Sequence, residues 1–600
     1  MIYQPPLGEI QHYLRHCTSA LHGDGGAGVL DAESLAALLS EAGRFATQVV
    51  LPIDEQLDRV GARYADGTVT TAPGHRAAYR HFVDSGWMSV SLPAKWGGQG
   101  LPMSINTACL ELWHSGSVAF AMGTLLNMGA VEAIDAYGSD QLKQAYLAKL
   151  TSGEWTASMA ITEPDAGSDL SRIKTSARLD DDGAFLISGT KIFISYGEHD
   201  LADNIVHLVL ARIVDAPAGV QGLSLFLVPK WLSDDAGAPI ANDLACLGIE
   251  RKLGQHGSPT CVMKFGEASG ARGWLVGEAN KGLLAMFTMM NRARLAVATQ
   301  GVAIAERAFQ MSVSHASQRS QGRNQAGKQA VIAEHVDVQR MLGTMMSLTS
   351  AARAIALTAA DAIDQSRTGS TPELRNQAAR EADFLTPLAK AFCTDVGCKL
   401  ASMAIQVHGG NGFIEDMGVA RLWRDIRIAP IYEGTNGIQA MDFSGRKLSA
   451  DRGETARRLL SSYEADARAA QDIPETARAA ALLVAACERA RMATNHMILH
   501  SGTPQALAGA TEFLELFALT MGAGLLAKAF LAAREQEAMR NHFSVCFRIF
   551  AERSLSATNA LSETVLYGAE TTVEVGACFA DYMRGSIWAA RLSPRNQDWA

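Results

Sequence analysis

Met159-Ala160-Ile161-Thr162-Glu163-Pro164-Asp165-Ala166-Gly167-Ser168-Asp169 stands where the texture of the chain changes. Its small residues, hydroxyls and rigid Pro-Gly frame leave backbone N–H groups able to bond the edge of a planar polar ring or a phosphate. A well-made turn would look the same. Before this loop, Leu35, Leu38, Leu39 and Phe45 recur on one helical face until Pro52 stops the pattern, and Ala77 to Val83, Ile105 to Trp113 and Ala130 to Leu150 read alike. From Glu154 to about Val276 the apolar runs become short: Thr175 to Leu179, Ala184 to Ser188, Lys191 to Ser195, Ile205 to Arg212 and Leu223 to Val228. Asp182-Gly183, Ser188-Gly189 and Gly219 to Gly222 separate them as turns. The loop is therefore the entry to a compact, mostly antiparallel β domain.

Working outward, the 3.6-residue period returns at Gly282 and is sustained over Leu283 to Gln318, Val331 to Ser366 and Pro372 to Val407, which predicts a bundle of long helices. The pattern weakens at Asp451-Arg452-Gly453-Glu454. Ala-rich helices follow at Thr455 to Gln471, Pro474 to His500, Gln505 to Arg534 and in a last set reaching Trp588. At the other end, a short amphipathic piece at Ile10 to Leu14 precedes glycines between 23 and 28. The expectation is an α+β multidomain chain: an N-terminal arm (1–35), a helical domain (36–153), the β domain (154–280), a helical bundle (281–450) and a C-terminal helical domain (451–600).

Composition narrows the function classes. A formal charge of -9 with 19% charged residues argues against nucleic acid as the main partner, since phosphate neutralisation needs clustered Lys and Arg. Nine cysteines without a CxxC spacing point to a reducing, cytoplasmic compartment rather than a disulfide framework. Met1 to Pro6 has no basic region followed by an apolar one, so no signal peptide is expected. Leu516 to Ala527 is the most apolar run; broken at Lys528, it falls short of the ~20 residues a bilayer span needs and reads as a buried helix. His496 and His500 share a helix face, but with no third ligand near in sequence no metal is expected. Leu92 to Pro102 is a glycine-rich loop, either a structural turn or a surface that something approaches.

The chemistry is placed at Ile431-Tyr432-Glu433-Gly434-Thr435-Asn436-Gly437-Ile438-Gln439. It follows a Gly-rich turn, His408 to Gly412, and a charged segment, Arg421 to Arg427. A carboxylate between two such segments is well placed as a general base. Alternatively, Glu433 begins a helix running to about Leu448 and simply complements its dipole.

Four motifs in this order, Met159 to Asp169, Lys191 to Ser195, His408 to Gly412 and Tyr432 to Thr435, together with the helical, β, helical succession, resemble the acyl-CoA dehydrogenase family over about Ala37 to Leu448. The longer chain, with Gly222 to Pro229 and Gly248 to Thr260, looks like the family's roughly 600-residue subgroup that includes dehydrogenases of 3-methylmercaptopropionyl-CoA. The resemblance implies FAD as cofactor. Met159, Ile161, Thr162, Gly167 and Ser168 would line the flavin, with Ser168 also near the CoA. Phe193, Ile194 and Ser195 would cover the ring, Phe193 standing where many members carry tryptophan. Arg319 and Gln321, with Gln406, His408, Gly409 and Gly410, would reach a neighbouring subunit's FAD, and Thr435 the flavin side. Asn291, Arg294 and Gly434 would meet the substrate.

The resemblance further implies α,β-dehydrogenation of an acyl-CoA thioester to the trans-2-enoyl-CoA. Glu433 takes the α proton and flavin N5 the β hydride, with desolvation by substrate raising the pKa of Glu433. Electrons would leave to an electron-transfer flavoprotein, in fatty acid β-oxidation, from a homodimer or dimer of dimers. The acyl group stays open between 3-methylmercaptopropionyl and medium or long chains. An oxidase passing electrons to oxygen, and a non-catalytic flavin- or nucleic-acid-binding member of the scaffold, are the alternatives.

Overall fold

In the computed structural model, residues 3–21, 30–234, 236–324 and 326–583 are described. The glycines between 23 and 28 and the last stretch to Trp588 and beyond therefore lie largely outside the described residues. Contacts divide the chain into two units, Met1–Ala382 with Cys393–Gly434, and Asp383–Phe392 with Thr435–Ala600.

The first unit opens with helix α1 (Leu7–His16), whose Ile10, Tyr13 and Leu14 are buried as the amphipathic spacing requires. Tyr13 is fixed by Ser350 Oγ at 2.9 Å. Then come α2 (Ala32–Phe45), α3 (Asp54–Arg59), a small hairpin of β1 (Arg63–Ala65) and β2 (Thr68–Thr70), α4 (His75–Asp84), α5 (Met103–Gly116), α6 (Val118–Tyr137) and α7 (Asp140–Ser152). The run predicted as one helix from Ala130 to Leu150 is two, because Gly138-Ser139 ends α6 and the Ser139 hydroxyl caps α7 at Leu142 N. Every residue of α5 is buried.

Strand β3 (Trp155–Ala160) begins the sheet, followed by β4 (Ser176–Leu179), β5 (Phe185–Ser195), β6 (Asn204–Ile213), β7 (Leu223–Pro229), a minor hairpin of β8 (Trp231–Ser233) and β9 (Pro239–Ala241), β10 (Leu244–Ile249), β11 (Thr260–Phe265) and β12 (Ala271–Val276). The strand order is β10-β11-β5-β12-β7-β6-β3, with β4 beside β5 and β6. Pairing is antiparallel as expected, except that β3 and β4 each run parallel to β6. Between Lys191↔Met263 and Ile194↔Cys261 two residues of β5 face one of β11, a bulge at Ile192-Phe193.

Beyond the sheet lie α8 (Gly282–Gln318), a hairpin of β13 (Ser320–Arg323) and β14 (Gln329–Val331), α9 (Val336–Thr368), α10 (Pro372–His408) and α11 (Val419–Ile426). Helix α9 starts five residues later than its periodicity predicts, since Val331 pairs with Ser320 in the hairpin. Helices α8 and α10 meet backbone to backbone: a Cβ on Gly301 would lie 2.0 Å from the Cys393 carbonyl oxygen. Arg353 of α9, fully buried, binds Glu9 at 2.9 Å, Glu111 at 2.7 Å and Glu306 at 2.6 Å, joining α1, α5 and α8 to α9.

In the second unit, α12 (Asn436–Asp442) runs into a π-helical turn, Phe443–Lys447. Phe443 packs against Phe384 with ring centroids 4.4 Å apart, and against Phe513 and Phe517. Helices α13 (Glu454–Gln471), α14 (Ala477–Leu499), α15 (Pro504–Ala508), α16 (Ala510–Ala532), α17 (Glu537–Arg553), α18 (Ala557–Tyr567) and α19 (Ala569–Met583) complete it. The length argument made from Leu516 to Ala527 fails: α16 has 23 residues and, with α6, is long and apolar enough to cross a membrane. Lys528 does not end it. The most apolar window of each helix is 83% buried in the protein. The rings of His496 and His500 lie side by side, tilted by 41° with centroids 4.4 Å apart, and no group of three candidate ligands forms among the described residues.

Candidate active site

The loop after β3 is organised by a buried ion pair. Lys191, on the inward face of β5, donates from Nζ to Glu163 Oε1 and to the Ile161 carbonyl, both at 2.8 Å. Burial drags this ammonium down to about 8 while Glu163 pulls it up. Glu163 also accepts from Lys174 N at 2.7 Å, from Thr175 N at 3.0 Å and from the Thr175 hydroxyl at 2.5 Å. Burial raises its pKa, but the Lys191 charge and these donors outweigh it and the carboxylate is held below its usual range. Ile192 N bonds the Thr162 carbonyl at 2.9 Å, so the loop is stitched to the bulge.

At that bulge Phe193 takes a left-handed φ of 60° and is 57% exposed. The face beside it is open. Met159 and Thr162 are half-buried, Gly167 and Ser168 exposed, and a Cβ on Gly167 would meet nothing within 4 Å. Ile161 is buried, but its carbonyl belongs to the Lys191 anchor. Ile194 departs from the expectation: its side chain is 1% exposed, inside the sheet core with Ile187, Cys261 and Met263, so only its backbone can face a ring. Strand alternation around the bulge sends Phe193 out and Ile194 in. An exposed aromatic, the exposed Ser168 with the half-buried Thr162, and an open glycine make a surface that fits the flat ring of a flavin.

The second element of the site is the turn after α11. Glu433 and Gly434 have φ of 57° and 84°, and α12 starts only at Asn436, capped by the Thr435 hydroxyl accepting from Ile438 N at 3.2 Å. Glu433 therefore does not begin a helix, and the dipole reading falls. Helix α8 holds the turn: Arg294 Nε donates to the Glu433 carbonyl at 3.2 Å and Arg294 Nη1 to Asn291 Oδ1 at 3.1 Å. Tyr432 donates its hydroxyl to Gln300 Oε1. Burial, first, and the Glu433 charge push that phenol well above its usual range.

The remaining expected cofactor contacts point outward. Arg319, Gln321, Gln406, Gly409 and Gly410 are exposed. His408 is instead buried, stacked on His315 at 4.4 Å, where the pair helps to line a groove of about 1080 Å³. Burial lowers the pKa of both rings. The groove is walled by ion pairs closed within the unit, among them Arg424 to Asp58 at 2.6 Å and Arg421 to Asp54 at 2.9 Å. Sequence reading missed the anchoring roles of Glu163, Lys191, Gln300 and Arg353. For Lys191 a signal existed, a cation in the inward register of a β run, which demands a buried partner.

Comparison with known proteins places the chain. Family descriptions of the acyl-CoA dehydrogenase N-terminal domain match residues 32–154, the middle domain 158–268 and the C-terminal domain 280–448, and an "Acetyl-CoA dehydrogenase C-terminal like" description matches 459–575. The chain belongs to the acyl-CoA dehydrogenase family. It is 44% identical over 528 residues to the 3-methylmercaptopropionyl-CoA dehydrogenase of Ruegeria pomeroyi, covering 86% of this chain and 89% of that protein. Among solved structures, an acyl-CoA dehydrogenase complexed with FAD from Bacillus anthracis superposes with a TM-score of 0.72 at 22% identity, over 90% of this chain and 89% of that one. A chain from the electron transferring flavoprotein study of Acidaminococcus fermentans does so at 0.56 and 25%, over 68% and 96%. The protein is thus an FAD-dependent oxidoreductase acting on acyl-CoA thioesters, with the helical, β, helical architecture of its family.

Proposed function

We propose that Glu433 is the base that removes the α proton of an acyl-CoA. The observation that carries this reading is its placement: a carboxylate on a left-handed, non-glycine residue, its own carbonyl tied to α8 by Arg294. A thioester stabilises negative charge developing at its α carbon, so a fixed carboxylate there can take the proton. When bound, FAD supplies the two-electron acceptor for the hydride leaving the β carbon. Thr162, Ser168 and the Phe193 ring hold and orient the flavin, while Asn291, Arg294 and Gly434 meet the substrate. The product is the trans-2-enoyl thioester.

The substrate we infer is a short acyl-CoA of the 3-methylmercaptopropionyl type, supported by the 44% identical relative that carries that name. Residues Arg319, Gln321, Gln406, Gly409 and Gly410 we assign to a second copy's FAD. Phe413, 85% exposed, with Ile414 and Met417 beside them, offers an apolar patch for the homodimer this requires. An electron-transfer flavoprotein is the proposed acceptor, and a reducing cytoplasm the proposed location, in keeping with nine cysteines that are all free. The decisive experiment is anaerobic: graded acyl-CoAs, including the methylthio ester, are mixed with the flavoprotein and bleaching is followed. Wild type should bleach with a short or methylthio ester and Glu433→Gln should stay yellow. Bleaching by the variant at the wild-type rate removes Glu433 from the role.

A further inference from the structure

We propose that Gln300 is a positioning residue for the base, acting through Tyr432. The inference rests on the reading of Glu433 just given. Tyr432 immediately precedes Glu433, and its hydroxyl donates to the Gln300 side-chain oxygen. Gln300 is wholly buried, and its other end is engaged too, Nε2 donating to Met122 Sδ of α6 at 3.5 Å. An amide bonded at both ends cannot turn over without losing one bond. Its backbone is equally fixed, since the next residue, Gly301, is pressed against the Cys393 carbonyl of α10.

The same helix therefore grips the turn at two places, the Glu433 carbonyl from Arg294 and the Tyr432 ring from Gln300. Two ties bracket one Cα. With φ at 57° and 84° on Glu433 and Gly434, the turn sits in a region a non-glycine residue leaves when nothing holds it. Gln255, itself buried and bound through its N–H to Asp425 Oδ1 at 2.5 Å, flanks the same hydroxyl and limits the direction in which Tyr432 can move. Cutting the Gln300 bond frees the Tyr432 end, and a displacement of the carboxylate by about 1 Å costs on the order of 100-fold in rate. Substrate affinity should change less than the rate, because Asn291 and Arg294, which share substrate contact with Gly434, stay in place on α8.

The test uses full-length Gln300→Leu and Tyr432→Phe, singly and together, loaded with FAD. With the best acyl-CoA of the panel, kcat should fall about 10- to 100-fold in each while KM stays within about twofold, and the double variant should be no slower than the worse single one. In flavin-free protein, hydrogen exchange should quicken across residues 431–435 and not along α8. A kcat within threefold of wild type, losses that multiply in the double variant, or exchange that is unchanged in the turn or raised throughout α8 would each overturn the proposal. If Gln300→Leu does not fold, Tyr432→Phe alone decides. Retained bleaching by Glu433→Gln would instead sink the reading of the base, so the two failures are distinguishable.

Discussion

Phe193 and Glu433 sit in different layers of the first unit yet share a backbone state: each is a non-glycine residue with φ near +60°. Such a residue costs roughly 1–2 kcal/mol. What holds it there differs. The bulge at Phe193 is imposed by a β5–β11 register slip and by a buried lysine–glutamate pair beneath the loop. The turn at Glu433 is held by one neutral acceptor, the Gln300 amide oxygen, and one donor, Arg294, both reaching from a single helix. The ion pair gives one strong, all-or-none support; the helix gives two separate ties. The first suits a surface that must stay flat for a ring, the second a carboxylate that must be aimed.

The largest effect should come from the aimed side. Glu433→Gln leaves the turn in place but removes the base, so anaerobic flavin reduction should fall by about 10²–10⁴-fold with acyl-CoA binding retained. On the other side, Lys191→Met leaves the Glu163 carboxylate buried without its cation. A loss of about 3–5 kcal/mol in urea unfolding is expected, with poor FAD retention, and Lys191→Met with Glu163→Gln should recover part of it. Next, Phe193→Gly removes the strain and the ring together. Stability should rise by about 0.5–1 kcal/mol while FAD affinity drops, which separates the backbone from the aromatic.

The smallest effect concerns pH. Burial raises the Asp425 carboxyl to about 7, against an unfolded value near 3.8. The native state then binds more protons than the unfolded one between those values, so this group's contribution falls as pH rises through that window and stays lost above 7. Asp425→Asn should therefore raise the melting temperature by more at pH 8 than at pH 5. An equal shift at both pH values would show that Asp425 stays ionised.

The period changes at Glu154 and Gly282 made the layer order legible, because alternation and 3.6-residue recurrence follow directly from which face is buried. Short motifs marked the loop and the base. What stayed hidden depends on partners far apart in the chain: Gln300 and Tyr432 are separated by 132 residues, and Arg353 and Glu111 by 242. The inward turn of Ile194 was hidden for another reason. One extra residue in a strand flips every side chain after it, and a bulge leaves no period in the sequence. Helix α16 misled through Lys528, read as a break; a single cation at 528 does not stop a helix that is otherwise buried at every residue from Leu516 to Phe530.

That helix has a consequence for biosynthesis. Its apolar faces are hidden by α13 and α14, made earlier, and by α17 and α18, made later. Until α17 and α18 have been made and have left the ribosome, a bilayer-length apolar rod is only partly wrapped. Newborn chains in that window compete between closing the C-terminal unit and being captured by whatever recognises nascent membrane segments. Truncation between 533 and 567 should divert the protein to membranes or chaperones.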